Sequence, residues 1–146
     1  MMEEQFINQI SFERNAIQLI EVELWNVLFS NNREHMIEDT QLDFELHTRT
    51  VGVTSSEIDI FLLAIIGDEE KTGFSMHIEY RGRVNSTKED ILNEELEEYA
   101  QQNIIPMLLP YIREISSALI SRTKLPTLML PTLDVINHIK NRKNYE

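Results

Sequence analysis

The chain has 146 residues, of which 42% are hydrophobic and 26% charged, and its formal net charge is −12. This length and composition fit a single globular domain with one core. Residues 1–100 carry 22 acidic and 7 basic side chains, a net charge of −15, whereas residues 101–146 carry 3 acidic and 6 basic ones, a net charge of +3. A segment with this much negative charge repels the phosphates of DNA and RNA, which argues against nucleic acid binding. Solubility is the favoured explanation of the acidity, and a docking surface for a basic partner is the alternative.

Targeting signals are also absent from the sequence pattern. No apolar run approaches the ~20 residues that a membrane span needs. The N-terminal stretch "MMEEQFINQI" lacks the basic and apolar regions of a signal peptide. The chain has no cysteine, which removes disulfides and thiolate chemistry. We therefore expect a cytoplasmic protein that does not insert into a membrane.

Four segments show the period-two alternation of half-buried strands. In "QLDFELHTRT" (41–50), Leu42, Phe44 and Leu46 share one face, and polar or charged residues share the other. Segments 17–29 and 74–84 alternate in the same way, and segment 57–66 becomes apolar on both faces, as a central or interface strand does. Short connections predict hairpins, whereas the longer segment 30–40 predicts a crossover at the sheet edge. The pattern predicts a four-stranded antiparallel sheet with one apolar and one charged face.

The second part of the chain has helical periodicity. Ser86 and Glu89 have the spacing of an N-terminal capping box. Pro106 is predicted to interrupt the first helix, and Pro110 to begin a second one that ends at Pro126. A short extended segment (127–130) and an amphipathic turn or two (133–141) follow. We therefore predict one α+β domain, residues 1–146, with the helices packed on the apolar face of the sheet. The apolar stripe of the second helix is Ile112, Ile115, Leu119 and Ile120.

No residue pattern typical of an active site is present. The sequence contains no G-x-S-x-G motif, no P-loop and no dinucleotide fingerprint. His47 and His77 fall on the charged strand faces, where surface histidines are favoured over a metal site because no ligand pattern surrounds them. The sequence therefore predicts no enzyme, no metal and no cofactor.

Flexible apolar side chains lie where a core does not obviously need them. Met36 lies in the crossover segment, Met107 between two prolines and Met129 in the extended segment 127–130. Methionine suits surfaces that accept varied partners, but it also fills gaps in cores. We expect Met76, on an apolar strand face, to be core, and leave both interpretations open for Met107 and Met129.

The C-terminal third resembles the SecB family of protein-export chaperones. The resemblance lies in "PYIRE" (110–114), "SR" (121–122) and "LPTLMLP" (125–131). These match that family's P-Y-x-R-E helix start, its S-R pair and its L-x-L segment beside proline. "QLDFE" (41–45) is similar to the start of the family's second strand, and the order of four alternating segments agrees with the family's sheet.

This resemblance implies a function without chemistry. SecB-like proteins are ATP-independent holdases that bind unfolded polypeptides in apolar grooves, and they assemble as a dimer of dimers. On this chain the groove would be formed by the crossover segment, the second strand and the C-terminal segments. For Leu42 and Phe44 an ordinary core role is a slightly favoured alternative. The residues that the resemblance and the methionine pattern assign to this predicted groove are Met36, Ile37, Leu42, Phe44, Met107, Met129, Val135 and Ile139.

Two kinds of partner follow from the resemblance, besides unfolded or precursor polypeptides. Export chaperones of the family deliver clients to the SecA motor through acidic positions on the exposed sheet face. The matching positions here are Asn26, Ser30 and His77, which carry no carboxylate. Other SecB-like proteins guard an antitoxin of a toxin–antitoxin pair. A dedicated chaperone or interaction protein for one such partner, independent of SecA, is the alternative to general export.

Overall fold

The computed structural model describes residues 16–32, 44–87 and 91–124 of the chain. The predicted domain boundaries, residues 1–146, therefore stay a prediction. The described elements are β1 (Ile17–Asn31), β2 (Phe44–Gly52), β3 (Glu57–Asp68), the one-turn helix α1 (Glu69–Thr72), β4 (Phe74–Ser86), α2 (Asn93–Tyr99), a π-helical turn (Ala100–Ile104) and α3 (Ile105–Ser121).

The strands form a four-stranded antiparallel sheet in the order β1-β4-β3-β2. The central strands are β3 and β4, and β3 is the strand whose sequence becomes apolar on both faces. β1 and β2 follow one another in sequence but lie at opposite edges of the sheet. The predicted four-stranded antiparallel sheet is confirmed, whereas most of the segment 30–40 that was predicted to cross over lies outside the described residues.

The hairpin between β3 and β4 is built around α1. Asp68 caps this helix by accepting a hydrogen bond from the backbone N–H of Glu70 at 2.9 Å. Gly73 ends it in the left-handed conformation with φ 81°, which glycine adopts without the steric cost of a Cβ atom. This local chemistry reverses the chain and sets the register of the two central strands.

The helices pack on one face of the sheet. Alternate residues of the central strands, such as Ile60, Leu62 and Ile78, are fully buried there, and Ile112 of α3 packs against the same cluster. Burying one such aliphatic side chain contributes about 1.5–3 kcal/mol. Met76 belongs to this core, as predicted. The predicted stripe of α3 is confirmed: Ile112 and Ile120 are buried, and Ile115 and Leu119 pack half-buried against the core.

A close approach between β4 and α3 depends on Gly82. A Cβ atom there would lie 2.9 Å from Leu19 Cδ1 and 3.3 Å from Leu108 Cδ2. A larger residue at this position would therefore crowd the side chains of Leu19 and Leu108, which would have to shift.

The prediction for the two prolines is wrong. Pro106 does not separate two helices, because α2, the π-helical turn and α3 follow one another without a break. Pro110 lies inside α3 instead of beginning a helix. Proline in a helix removes one backbone hydrogen bond and costs about 3 kcal/mol. The apolar stripe on both sides of it is buried against the sheet, and this burial holds the helix together despite the loss.

The capping box at Ser86 is also wrong. Ser86 is the last residue of β4, where it pairs with Ile17, and its backbone N–H donates to the carbonyl of Ser56 at 2.8 Å. Helix α2 begins only at Asn93, with Leu92 as its N-cap. Strand pairing outweighs the local capping signal because it satisfies the same backbone groups within the sheet.

By length and composition alone, the stretch Asn93–Ser121 could cross a membrane. Helices in the core of a globular domain pass the same test. Here the apolar stripe of the stretch lies on the sheet, with residues such as Leu96, Leu108 and Ile112 buried in the shared core.

Candidate functional site

Two of the eight residues of the predicted groove lie in the described part of the chain. Phe44, at the start of β2, is half-buried and packs against the core cluster, so the core interpretation holds at least in part. Met107, on α3, is 53% exposed, and its side chain is therefore not a core filler. The other six lie outside the described residues, namely Met36, Ile37, Leu42, Met129, Val135 and Ile139.

Further exposed apolar side chains lie on α3 and on β1. Tyr111 follows Met107 one turn later, is partly exposed, and lies 5.6 Å from the ring of Tyr80. Burial raises the pKa of Tyr80, and the charge of Glu114 raises it further, so this phenol stays neutral. Leu24 on β1 is also exposed. This side of the molecule thus presents apolar surface that its own core does not use.

The opposite face of the sheet, here named the open face, is the one that α2 and α3 do not cover. Strand alternation places on it Phe61, Leu63 and Ile65 of β3, together with the polar residues of β2 and β4. Asn26, Ser30 and His77 lie on this face too, as the resemblance implied. Asn26 pairs with Glu79, His77 lies between Leu28 and Ile65, and Ser30 donates to Glu69 at 3.0 Å.

A nearly buried arginine ties three strands together on the open face. Arg81 of β4 has a side chain only 6% exposed, and it donates to Glu21 at 2.6 Å and to Glu23 at 2.7 Å, both on β1. Its other terminal nitrogen donates to Asp59 of β3 at 3.0 Å. Arg83 adds a bidentate pair to the same aspartate, at 2.9 and 3.1 Å. The central strand β4 is thereby linked electrostatically to both neighbours.

The electrostatics of this cluster favour the ionised aspartate. Burial alone would raise the pKa of Asp59, but the hydrogen bonds and positive charges of Arg83 and Arg81 outweigh it and hold the pKa below its ordinary value. The carboxylate is thus fixed as an anion and acts as a structural counter-ion. A group held in this way is a poor proton donor, so the cluster does not have the properties of a general acid.

Aromatic and arginine side chains stack beside this cluster. The ring of Trp25 meets that of Phe61 edge to face, with centroids 5.3 Å apart. The guanidinium carbon of Arg49 lies 3.7 Å above the Phe61 ring on the β2 side. Phe61 is consequently 3% exposed although it lies on the open face, whereas Trp25 remains 50% exposed.

Sequence reasoning missed both features of the open face. The signal for the first was present, since Glu21 and Glu23 on one strand and Arg81 and Arg83 on another alternate with the same period. The sequence does not show which strands are neighbours in the sheet, so these glutamates and arginines could not be assigned to ion pairs. Trp25 gave no signal, because its position depends on a bulge in β1.

The two strand histidines do not form a metal site with carboxylates around them. His47 lies on β2 and His77 on β4, and β3 separates them. The Nε2 atom of His47 lies 3.1 Å from Glu45. Among residues 16–32, 44–87 and 91–124, no group of three or more His, Asp or Glu side chains could hold a metal ion.

Comparison with solved structures shows the fold. A SecB-like chaperone from Mycobacterium tuberculosis, solved in complex with a ChAD peptide from the HigA1 antitoxin, superposes with a TM-score of 0.66 and 21% sequence identity over 82% of this chain and 91% of that one. This chain therefore has the SecB-like fold that its C-terminal motif predicted. No protein-family model matches the chain, and no curated protein matches it in sequence.

A second solved structure is more distant. A protein of unknown function from Streptococcus agalactiae gives a TM-score of 0.43 and 11% identity, over 79% of this chain and 96% of that one. So low a score carries no functional information.

Proposed function

We propose that this chain, which has a SecB-like fold, is an ATP-independent holdase that binds unfolded or partly disordered polypeptides without chemistry. The observation that carries the proposal is the agreement between the C-terminal motif and the superposition on a SecB-like chaperone. The exposed apolar side chains of Met107 and Tyr111 support it, because holding a client requires apolar surface that the core leaves free. A cytoplasmic location is part of the same proposal.

Suppression of aggregation tests this function directly. The purified protein, mixed with a chemically unfolded client on dilution from denaturant, is expected to reduce light scattering at a near-stoichiometric ratio without ATP. The affinity comes from burying apolar surface of the client against the protein, which contributes ~25 cal/mol of binding free energy per Å². A folded, homogeneous sample that leaves the scattering unchanged at severalfold excess would contradict the proposal.

The predicted groove is tested by charge insertion. The double variant Val135→Asp and Ile139→Asp is expected to weaken client binding while its far-UV circular dichroism stays unchanged. Val53→Asp is the matched control, because Val53 is an exposed valine outside the predicted groove. Equal loss of holding in the control and in the double variant would show that the effect is not local to the groove.

A dedicated role for one partner is the second candidate function. The solved structure of the Mycobacterium tuberculosis protein holds an antitoxin peptide, and this chain lacks carboxylates at Asn26, Ser30 and His77. We infer independence from SecA on that ground. Isolation of the protein from its host separates the two functions: one stoichiometric partner encoded nearby favours the dedicated chaperone, whereas many precursors and binding to SecA at low salt favour export.

Self-association is part of the proposal. Among the described residues, no strand pairs with the outer edge of β1, a strand of 15 residues that exposes Ile20 and Leu24. An exposed apolar edge of this length is a ready template for another chain. Light scattering coupled to size exclusion is expected to give a mass above that of the monomer, and Leu24→Lys is expected to lower it. A monomeric mass for the unmodified protein would contradict self-association.

A further inference from the structure

Helix α3 carries two apolar stripes that are offset from one another by one residue. One stripe consists of the buried positions of the helix, which face the sheet: Ile105, Leu108, Leu109, Ile112, Ser116 and Ile120. The residue that precedes each of these positions is apolar or aromatic, and together these residues form the second stripe: Ile104, Met107, Leu108, Tyr111, Ile115 and Leu119. The sequence of α3 is therefore compatible with two positions on the sheet that differ by one residue.

The π-helical turn Ala100–Ile104 contains the residue by which the two positions differ. The backbone N–H of Ile105 donates to the carbonyl of Ala100, five residues earlier, whereas an α-helix bonds to the carbonyl four residues earlier. If this turn became α-helical, each residue of α3 would move into the place now held by the residue after it. We call the described arrangement the first register and this alternative the second register.

The N-terminal side of the π-helical turn is anchored to the sheet. The hydroxyl of Thr48 on β2 donates to the side-chain carbonyl of Gln101 at 2.9 Å, and Thr48 is only 5% exposed. Leu96 and Ala100 are buried in the shared core. A change in the turn would therefore move α3 and leave α2 in place.

Most exchanges of the second register would preserve an apolar core. Met107 would take the place of Leu108 with little change in volume, a kind of swap that cores tolerate. Ile115 would take the place of Ser116, whose hydroxyl is buried in the first register. The second register is therefore opposed by particular residues and not by the hydrophobic pattern as a whole.

We propose that two positioning residues, Pro106 and Tyr111, fix α3 in the first register. Pro106 is the second residue of α3 and has no backbone N–H to donate. In an uninterrupted α-helix its ring would clash with the carbonyl of Gln102, four residues earlier. The wider π-helical turn lies where that α-helical turn would be, so the proline favours the π-helical form of this turn.

Tyr111 opposes the second register by its size. It would have to enter the place of Ile112, which is fully buried. A larger ring overpacks such a position, and its hydroxyl needs a buried hydrogen-bond partner. In the first register the Tyr111 ring lies partly in solvent instead, 5.6 Å from the ring of Tyr80.

The register decides which side chains α3 presents to solvent. In the first register Met107 and Tyr111 are 53% and 41% exposed. In the second register their places would be taken by Pro106 and Pro110. The positioning residues thus keep the apolar surface of α3 exposed. This consequence rests on the proposed function only where it assigns that surface to a client, and the register itself does not.

Two probes report the register in opposite directions. The chain has no cysteine, so Ser116→Cys introduces a single thiol, at a position that is 1% exposed in the first register. In the second register this thiol would take the exposed place of Ser117. Its alkylation by iodoacetamide is measured in the folded full-length protein, with Ser117→Cys as the exposed reference. The second register would bury Met107 and slow its oxidation by hydrogen peroxide to the sulfoxide, which peptide mass measures.

Replacing both positioning residues is expected to shift the helix. With Pro106→Ala and Tyr111→Ile, the thiol at position 116 should react about tenfold faster, as the second register becomes populated. The sulfoxide of Met107 should form severalfold more slowly in the same protein. Pro106→Ala with Tyr111→Trp is the matched control, because an indole does not fit the place of Ile112, and both rates should stay unchanged.

Only opposed changes of the two rates support the proposal. Faster reaction at both positions would show loosened packing, since local unfolding exposes the thiol and the methionine together. Unchanged rates would show that Pro106 and Tyr111 do not set the register. Either result would overturn the proposal.

Client holding distinguishes this inference from the holdase proposal. The register is measured without a client, so opposed rates would stand even for a protein that suppresses no aggregation. If the unmodified protein holds a client, the Pro106→Ala, Tyr111→Ile variant is expected to need a severalfold higher molar ratio for the same suppression. Equal holding by a variant with opposed rates would overturn the assignment of this surface to the client.

Discussion

Arg81 shows how a single residue can stabilise a sheet from its solvent side. Its guanidinium is nearly buried and is hydrogen-bonded to carboxylates from both neighbouring strands. Hydrogen bonds to charged groups contribute about 1.5–3 kcal/mol each when buried, and removing one partner leaves the other charge uncompensated. The most sensitive member of this cluster is Asp59, because it alone bridges Arg81 and Arg83.

Replacing Asp59 tests the cluster. Asp59→Asn is expected to lower the free energy of unfolding at pH 7 by about 2 kcal/mol, measured by urea denaturation. The folded-state pKa of Asp59 lies below its unfolded value. Its stabilising contribution is therefore fully present above pH ~4, the unfolded value, and is lost as the pH falls toward the folded pKa. The difference between the proteins should shrink below pH ~4. Glu95→Gln, an exposed carboxylate of α2, is the control and should change little.

Gly82 is the second position at which one residue decides the packing. Gly82→Val is expected to lower the free energy of unfolding by about 2 kcal/mol, because the added methyl groups meet Leu19 and Leu108. Gly52→Val is a matched control, since a Cβ at Gly52 has nothing within 4 Å. If thermal unfolding shifts equally in both variants, β propensity and not overpacking is responsible.

At the scale of elements, the continuous helix 93–121 has an irregular centre with a physical cause. Its buried positions recur every four residues at Leu96, Ala100, Ile104, Leu108 and Ile112. A turn of 3.6 residues makes such positions drift around the helix by about 40° per step. The π-helical turn contains more residues per turn and reduces that drift. It therefore keeps one apolar stripe on the sheet along the whole helix.

Pro110 provides a test of how this helix is held. Pro110→Ala restores a backbone hydrogen bond within α3 and is expected to raise the free energy of unfolding by about 1 kcal/mol, less than the ~3 kcal/mol helix penalty because the unfolded chain also gains freedom. Pro106→Ala should have a smaller effect, because Pro106 is the second residue of α3, in a first turn where proline is better tolerated than in a helix interior. Destabilisation by Pro110→Ala, measured by thermal unfolding, would show that the proline shapes a bend that the packing needs.

At the scale of the whole molecule, the sheet separates two surfaces with different properties. The helix side leaves apolar residues such as Met107 and Tyr111 exposed, and the open face combines an ion-pair network with Trp25. A net charge of −12 also attracts or repels charged polypeptides at a distance, including the clients of the proposed holdase. Long-range attraction of this kind is screened at high salt, whereas apolar burial is not.

Client charge is therefore expected to affect holding. At low salt the protein should suppress aggregation of a basic unfolded client at a lower molar ratio than that of an acidic client of similar length. At ~0.5 M salt the two ratios should converge, because the Debye length falls to a few Å. Light scattering during refolding measures both ratios. A preference for the acidic client would contradict the electrostatic argument.

The sequence by itself determined the four strands and the buried stripe of α3, because each follows from a period of two or 3.6 residues. The C-terminal motif determined the SecB-like fold. Tertiary structure decided what local signals could not: Pro110 lies within a helix because burial outweighs a lost hydrogen bond, and Ser86 ends a strand because pairing with Ile17 outweighs capping. It also decided that Arg81 meets three carboxylates and that Trp25 faces solvent, since both depend on strand neighbours and a bulge that no stretch of the chain encodes alone.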